Sequence, residues 1–182
     1  MNLKNYHIDK SWTLFLDRDG VINRRLPGDY VKSWEEFEFL PGVKESLAKL
    51  SGIFGRIIIV TNQQGIGKGL MTEEGLKEIH QKMITEVEAA GGRIDAVYHC
   101  PGLAKDNPPC RKPNPGMGLQ AQQDFPEIVF NKSVMVGDSP SDMEFGTRLG
   151  MKCIYVGEEK IGSLKQYKSI DKLQGVFEYL NG

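Results

Sequence analysis

A doubly wound, Rossmann-like parallel α/β sheet flanked by helices is the fold this sequence predicts, and three observations carry that expectation. Short apolar runs recur along the chain, at Trp12 to Leu16, Arg56 to Val60, Ala96 to Cys100, Ser133 to Val136 and Lys152 to Val156, each of strand length. Helical patterns alternate with them, as in parallel strands joined by crossover helices. Several of the runs end in charged or hydrogen-bonding residues on the same side, which is the carboxyl edge, where open α/β sheets hold their ligands.

The first run is bulky and apolar and closes in Asp17-Arg18-Asp19-Gly20-Val21-Ile22-Asn23. Gly20 forces a turn directly after the charged pair. Where a strand enters a loop, two carboxylates two residues apart can converge on one spot. One can attack a phosphoryl group to give an aspartyl phosphate while the other handles protons, and a hard cation with oxygen ligands, Mg²⁺, would keep the dianionic substrate from repelling the nucleophile. An isolated Asp-x-Asp is equally a helix cap and a turn, so the chemistry depends on the later motifs.

Arg24 to Glu38 reads as a loop folding back over the strand end, with the pair Arg24 and Arg25 placed to meet an anion. Pro41-Gly42 opens a helix over Val43 to Leu50. The β-branched run Arg56 to Val60 predicts a buried parallel strand. It ends in Thr61-Asn62-Gln63-Gln64-Gly65, and a Thr hydroxyl beside backbone N–H groups suits phosphate oxygens. Gly65-Ile66-Gly67-Lys68-Gly69 is not a P-loop, because Gly69 stands where that motif needs a hydroxyl; a mobile loop is expected instead. Thr72 then caps a helix to about Ala90, with Leu76, Ile79, Met83, Val87 and Ala90 as its buried stripe and His80 on its surface.

After the third strand, Pro101 to Pro115 is an irregular excursion that carries Cys110-Arg111-Lys112-Pro113-Asn114-Pro115-Gly116, two cations held rigidly by their proline neighbours. The fourth strand ends in Gly137-Asp138-Ser139-Pro140-Ser141-Asp142. Ser139 as N-cap and Pro140 as first helical residue leave Asp138 at the strand tip and Asp142 one turn into the helix. A fifth strand follows, and Ile170, Leu173, Val176, Phe177 and Leu180 read as a packing helix. The carboxyl edge would gather Asp17, Asp19, Thr61, Arg111, Lys112 and Asp138.

With 182 residues, 40% hydrophobic and 26% charged and a formal net charge of −1, the chain fits one domain spanning 1–182 and shows no basic face for nucleic acid. The polar stretch Met1 to Lys10 has no signal core, and no apolar run approaches a membrane span, so a cytoplasmic monomer is expected. Three cysteines argue against a disulfide framework and agree with a reducing compartment.

In its four motifs, over about residues 12 to 157, the chain resembles the haloacid-dehalogenase-like phosphohydrolases, and in the wording of Asp17-Arg18-Asp19-Gly20, Thr61-Asn62-Gln63 and Cys110-Arg111-Lys112-Pro113 it is similar to the heptose-bisphosphate 7-phosphatase branch and its histidinol-phosphatase relatives. The resemblance implies a single phosphatase domain with no large cap. It implies Mg²⁺-dependent hydrolysis of a sugar phosphate monoester, D-glycero-D-manno-heptose 1,7-bisphosphate going to the 1-phosphate, in carbohydrate metabolism supplying a lipopolysaccharide-type precursor. Asp17 would be nucleophile and metal ligand. Asp19 would be acid and base, with its carbonyl on the metal, and Asp138 would complete the metal set. Thr61 and Lys112 would hold the phosphoryl group, and Asn62, Arg111, Arg25 and Tyr30 the rest of the substrate.

Many members carry a zinc site in the loop before Arg-Lys. Here Cys100 and Cys110 remain, while Gly102 and Pro108 occupy the other two ligand positions. Two ligands do not close a tetrahedral site, so structural zinc is not expected. The alternatives are a histidinol-phosphate phosphatase, which acidic groups at the mouth would favour, a 3′-phosphatase of DNA ends, which the missing basic face weakens, and a catalytically silent phosphosugar-binding protein, which would have no use for a nucleophile.

Overall fold

The computed structural model describes residues 7–157 and 167–180. Among them six strands form one parallel sheet: β1 (Thr13–Leu16), β2 (Arg56–Asn62), β3 (Ala96–Cys100), β4 (Ser133–Gly137), β5 (Lys152–Val156) and β6 (Lys168–Ile170), in the order β3-β2-β1-β4-β5-β6. The helices are α1 (Val43–Ile53), α2 (Glu73–Ala89), α3 (Gly116–Asp124), α4 (Pro140–Arg148) and the short α5 (Phe177–Leu180). β1 lies between β2 and β4, with Leu16 level with Ile59 on one side and Val136 on the other. The strand order reverses between β1 and β4, so the crevice of a doubly wound sheet opens beyond their carboxyl ends.

Successive strand residues point to opposite faces, and the core divides accordingly. Leu14, Leu16, Ile57, Ile59, Val134 and Val136 pack with Val43, Leu47 and Leu50 of α1 and Leu76, Ile79, Met83 and Val87 of α2. Phe15, Ile58, Val60 and Met135 face the other way, against Met117 and Ala121 of α3 and Phe145 of α4. Each such side chain, fully buried, contributes about 1.5–3 kcal/mol, which makes the ends of β1, β2 and β4 a rigid platform for whatever their loops carry.

The structure differs from the sequence-based expectations at several points. β2 runs on through Thr61 and Asn62, because both still pair with β3. Ile170 belongs to a sixth strand, register-paired with Val156, and Leu173 and Val176 to a 3₁₀ turn; spacings of three and four cannot distinguish one continuous helix from a short strand plus a turn. Helix α3 has no sequence signature, since Gly116 and Gly118 weaken helical propensity, and its burial of Met117, Gly118 and Ala121 sustains it. Ala90 is exposed. His80 is buried, at 7% exposure, instead of lying on the surface of α2.

Residues 65–70 form a hydrogen-bonded turn. Ile66, Gly67, Lys68, Gly69 and Leu70 each donate a backbone hydrogen bond, Gly67 reaching across to the Pro101 carbonyl at 3.1 Å. Cys100 and Cys110 form a disulfide, against the expectation that the cysteines stay unpaired. The end of β3 and the turn following Pro108 bring their Cα atoms to 5.3 Å, within bridging range. The polar N-terminal stretch falls largely on residues 1–6, outside the described residues; no described helix is long and apolar enough to cross a membrane.

Candidate active site

Asp17 follows β1 directly and continues its pairing with β4, its N–H donating to the Val136 carbonyl at 2.9 Å. Its Oδ1 accepts from the Arg18 N–H at 2.8 Å and lies 2.8 Å from the Lys112 ammonium. Lys112 is itself buried. Its Nζ donates to the Val60 carbonyl at 2.7 Å and sits 2.6 Å from Asp142 Oδ1, without hydrogen-bond alignment. Burial works against the charge on Lys112, but the Asp142 and Asp17 carboxylates outweigh it and raise its pKa. Burial raises the pKa of Asp17, and the neighbouring Asp142 and Asp138 charges add to the effect against the pull of Lys112. Asp138 is raised by burial and by Asp142, with Arg25 opposing.

Asp17, Asp138 and Asp142 each present a carboxylate oxygen within 4.8 Å of the others. This all-oxygen donor set suits a hard divalent cation, and such a cation would relieve the carboxylate repulsion that adds to burial in raising the pKa values of Asp17 and Asp138. The fit extends to the backbone. Gly20 adopts φ +87° and a Cβ there would collide with the Asp138 carboxylate, so glycine at this turn is what lets β4's tip close on β1's. Asp142, which carried no assigned role in the sequence, is fully buried. Its other oxygen, Oδ2, accepts from the N–H and hydroxyl of Ser139 at 3.0 and 2.6 Å, an orientation that leaves Oδ1 facing Lys112. Its traces in the chain are the i,i+4 spacing from Asp138 and the capping-box spacing of Asp142 from Ser139.

Asp19 accepts from Arg18 Nη2 on both oxygens, at 2.9 and 3.0 Å, and from Asn23 and Gln63 side-chain amides at 2.9 Å each. Burial would raise its pKa, but Arg18, Asn23 and Gln63 together hold it below the usual carboxylate range. Thr61 Oγ1 accepts from Gln63 Nε2 at 2.8 Å. Asn62 donates to the Lys112 carbonyl and accepts from the Lys112 N–H, at 3.1 and 3.0 Å, so both atoms of its amide hold the Lys112 loop.

These groups line one cleft of about 410 Å³, together with Arg25, Tyr30, Gln64, Lys68 and Arg111. Arg25 reaches Asp138 Oδ2 at 3.2 Å. Arg24 turns away to Glu38 and is not among the lining residues. Tyr30 accepts at its hydroxyl from Gln64 at 2.8 Å and Lys68 at 2.9 Å. Neither Lys68 nor Arg111 is in an ion pair with a carboxylate among the described residues; Arg111 donates to the Gly102 carbonyl at 3.4 Å. Lys68 entered no sequence-based expectation, because its glycine-rich loop was set aside once it failed as a P-loop. Apart from Arg24, the structure thus collects the expected site residues at one sheet edge, and adds Arg18, Gln63, Lys68 and Asp142.

Comparison with known proteins places these features in a family. The HAD-hydrolase-like family model matches residues 109–180. The D-glycero-α-D-manno-heptose-1,7-bisphosphate 7-phosphatase of Mycobacterium bovis is 44% identical over 133 residues, 73% of this chain and 70% of that protein. The protein of the same name from Campylobacter jejuni is 34% identical over 93% of this chain and 97% of its own. A β-anomer 7-phosphatase from Vibrio cholerae is 41% identical over 71% and 72%. Among solved structures, the D,D-heptose 1,7-bisphosphate phosphatase from B. bronchiseptica, complexed with magnesium and phosphate, superposes with a TM-score of 0.81 at 29% identity, covering 93% of this chain and 97% of that one.

Proposed function

The chain belongs to the haloacid-dehalogenase-like phosphohydrolases, in the branch of the heptose-bisphosphate 7-phosphatases, and from that premise we propose that it hydrolyses the 7-phosphate of D-glycero-D-manno-heptose 1,7-bisphosphate through an aspartyl phosphate on Asp17. The observation that carries the proposal is the shared cluster of Asp17, Asp138 and Asp142 with the Lys112 ammonium in contact with Asp17. A binding protein gains nothing from a nucleophile held beside a buried ammonium.

In the first half, a carboxylate oxygen of Asp17 bonds to phosphorus, the bond from phosphorus to the sugar oxygen breaks, and Asp19 gives that oxygen its proton. Asp19 rests as a carboxylate, so the proton enters with the monoester, whose second ionisation lies near pH 6. In the second half Asp19 takes a proton from water, the water oxygen attacks phosphorus, the bond from phosphorus to Asp17 breaks, and the proton on Asp19 leaves with inorganic phosphate, which returns both carboxylates. Phosphoryl transfer depends on positioning and on neutralising charge at the equatorial oxygens. Lys112 and the Thr61 hydroxyl supply part of that within the cleft. Mg²⁺, held by Asp17, Asp138 and Asp142 side chains and the Asp19 carbonyl, would supply the remaining positive charge. Cys100 and Cys110 are bonded to each other and Gly102 and Pro108 bring no ligand atom, which supports the reading that a disulfide, rather than zinc, staples this loop.

Lys68 and Arg111 at the mouth favour a substrate with a second anion over the cationic histidinol phosphate. The test is phosphate release with Mg²⁺ across both anomers of heptose 1,7-bisphosphate, histidinol phosphate, fructose 1,6-bisphosphate and a 3′-phosphorylated oligonucleotide, with EDTA and Asp17→Asn controls. A preferred heptose anomer, lost by at least about three orders of magnitude in the folded Asp17→Asn protein, supports the proposal. Preference for histidinol phosphate replaces the substrate, and silence across the panel replaces the enzyme with a binding protein.

A further inference from the structure

Arg18 is the largest fully buried side chain of the described residues, and it lies between the two carboxylates of the opening motif without belonging to the phosphate or metal sites. Its Nη2 is directed at both oxygens of Asp19. Its Nη1 meets Nε2 of His80 at 3.2 Å, its guanidinium carbon stands 6.0 Å from the Phe37 ring centre, and its Nε has no partner. Two groups therefore orient the guanidinium by hydrogen bonding, the Asp19 carboxylate and the His80 ring.

An arginine side chain keeps its proton under all protein conditions, so Nη1 is the donor and His80 Nε2 the acceptor, which places the ring proton on Nδ1. Burial, together with the Arg18 charge, lowers the His80 pKa to about 3, in keeping with a ring that stays neutral. His80 sits in the middle of α2, whose apolar stripe is locked into the core. The ring is thus a fixed acceptor on a rigid element, 62 residues away in sequence from the arginine it holds.

We infer that His80 is a positioning residue for the proposed reaction: by fixing the far end of the Arg18 guanidinium it sets the direction in which Asp19 presents its carboxylate to the departing sugar oxygen. The inference rests on the functional reading above. It makes a demand that general packing does not, because only a step that needs the Asp19 proton should suffer when the acceptor is lost. Departure of a sugar oxygen needs that proton, whereas departure of 4-nitrophenolate does not.

The experiment compares kcat/KM, which reports the phosphorylation half-reaction, for heptose 1,7-bisphosphate and 4-nitrophenyl phosphate in the wild type, His80→Leu and His80→Gln. For His80→Leu the sugar ester should fall about tenfold, the worth of one hydrogen bond to a charged group, while the nitrophenyl ester falls less than about twofold. His80→Gln, which keeps an acceptor oxygen, should recover the sugar ester to within about twofold of wild type. Equal losses for both esters, or a Gln variant as impaired as the Leu variant, would overturn the inference while leaving the phosphatase reading intact. Absence of wild-type turnover of either ester would overturn the phosphatase reading and the inference with it.

Discussion

Asn62 and Lys112 hold each other by two hydrogen bonds, amide to carbonyl at 3.1 Å and backbone N–H to amide oxygen at 3.0 Å. The end of β2 thereby carries the loop that delivers the Lys112 ammonium to Asp17. A side chain so engaged is placed to position the Lys112 ammonium. Asn62→Ala should cost about 1–3 kcal/mol of stability, two hydrogen bonds at about 0.5–1.5 kcal/mol each. It should lower kcat by about 10- to 100-fold with little change in KM, since small displacements of catalytic groups act on rate. Thermal melts and steady-state kinetics check this; a rise in KM at constant kcat would return Asn62 to the substrate-binding surface.

Asp17 and Asp138 have pKa values raised by burial and by the carboxylates around them. Between the ordinary carboxylate range and those raised values, the folded state holds protons that the unfolded chain has released. Their contribution to stability therefore falls as pH rises through that window. Divalent binding needs the same carboxylates deprotonated, so the gain in Tm from Mg²⁺ over EDTA should be near zero at pH 5. It should grow to about 5–10 °C at pH 8 with Mg²⁺ near a hundredfold its Kd. Asp19, with its lowered pKa, has the opposite slope at lower pH, and taking the difference between melts with and without Mg²⁺ isolates the cluster. A pH-independent Mg²⁺ effect would remove Asp17 and Asp138 from the metal set.

Lys68 reaches the Tyr30 hydroxyl at 2.9 Å inside the cleft. If it receives the second phosphate, Lys68→Ala should raise KM for the bisphosphate about tenfold, about 1.4 kcal/mol. Hydrolysis of a sugar carrying only the phosphate to be cleaved should change by less than about twofold. Equal effects on the two substrates would place Lys68 outside specificity.

The Cys100–Cys110 bridge closes a short loop, at a sequence separation of 10, immediately before Arg111 and Lys112. Loop-closure entropy for that length gives about 2–3 kcal/mol, so Cys110→Ser should melt about 5–10 °C lower than the oxidised wild type. Elemental analysis should find no stoichiometric zinc. About one zinc per chain, lost with Cys100→Ser, would show that the two sulfurs serve a metal instead.

Much of the site is legible along the chain because its signals are local. Strand runs, the turn glycine after Asp19 and the Ser139-Pro140 cap depend on neighbours a few residues away, so Asp17, Asp19, Thr61 and Asp138 are placed at strand ends by the amino-acid order itself. The same locality misleads at Ile170, where helical spacing coincides with the open edge of β5, and at His80, where polar neighbours on α2 conceal that the ring faces Arg18.

The sequence by itself determines the parallel α/β class, the carboxylates at its carboxyl edge and the cations near Arg111, because periodicity and turn chemistry act within one element. Only the tertiary structure decides which distant groups meet. Arg18 finds His80 across 62 residues, Lys112 finds Asn62 across 50 and Arg25 finds Asp138 across 113. Those meetings follow from the strand order that sets β1 between β2 and β4. Sheet order is a property of the whole core's packing, and no local window of residues encodes it.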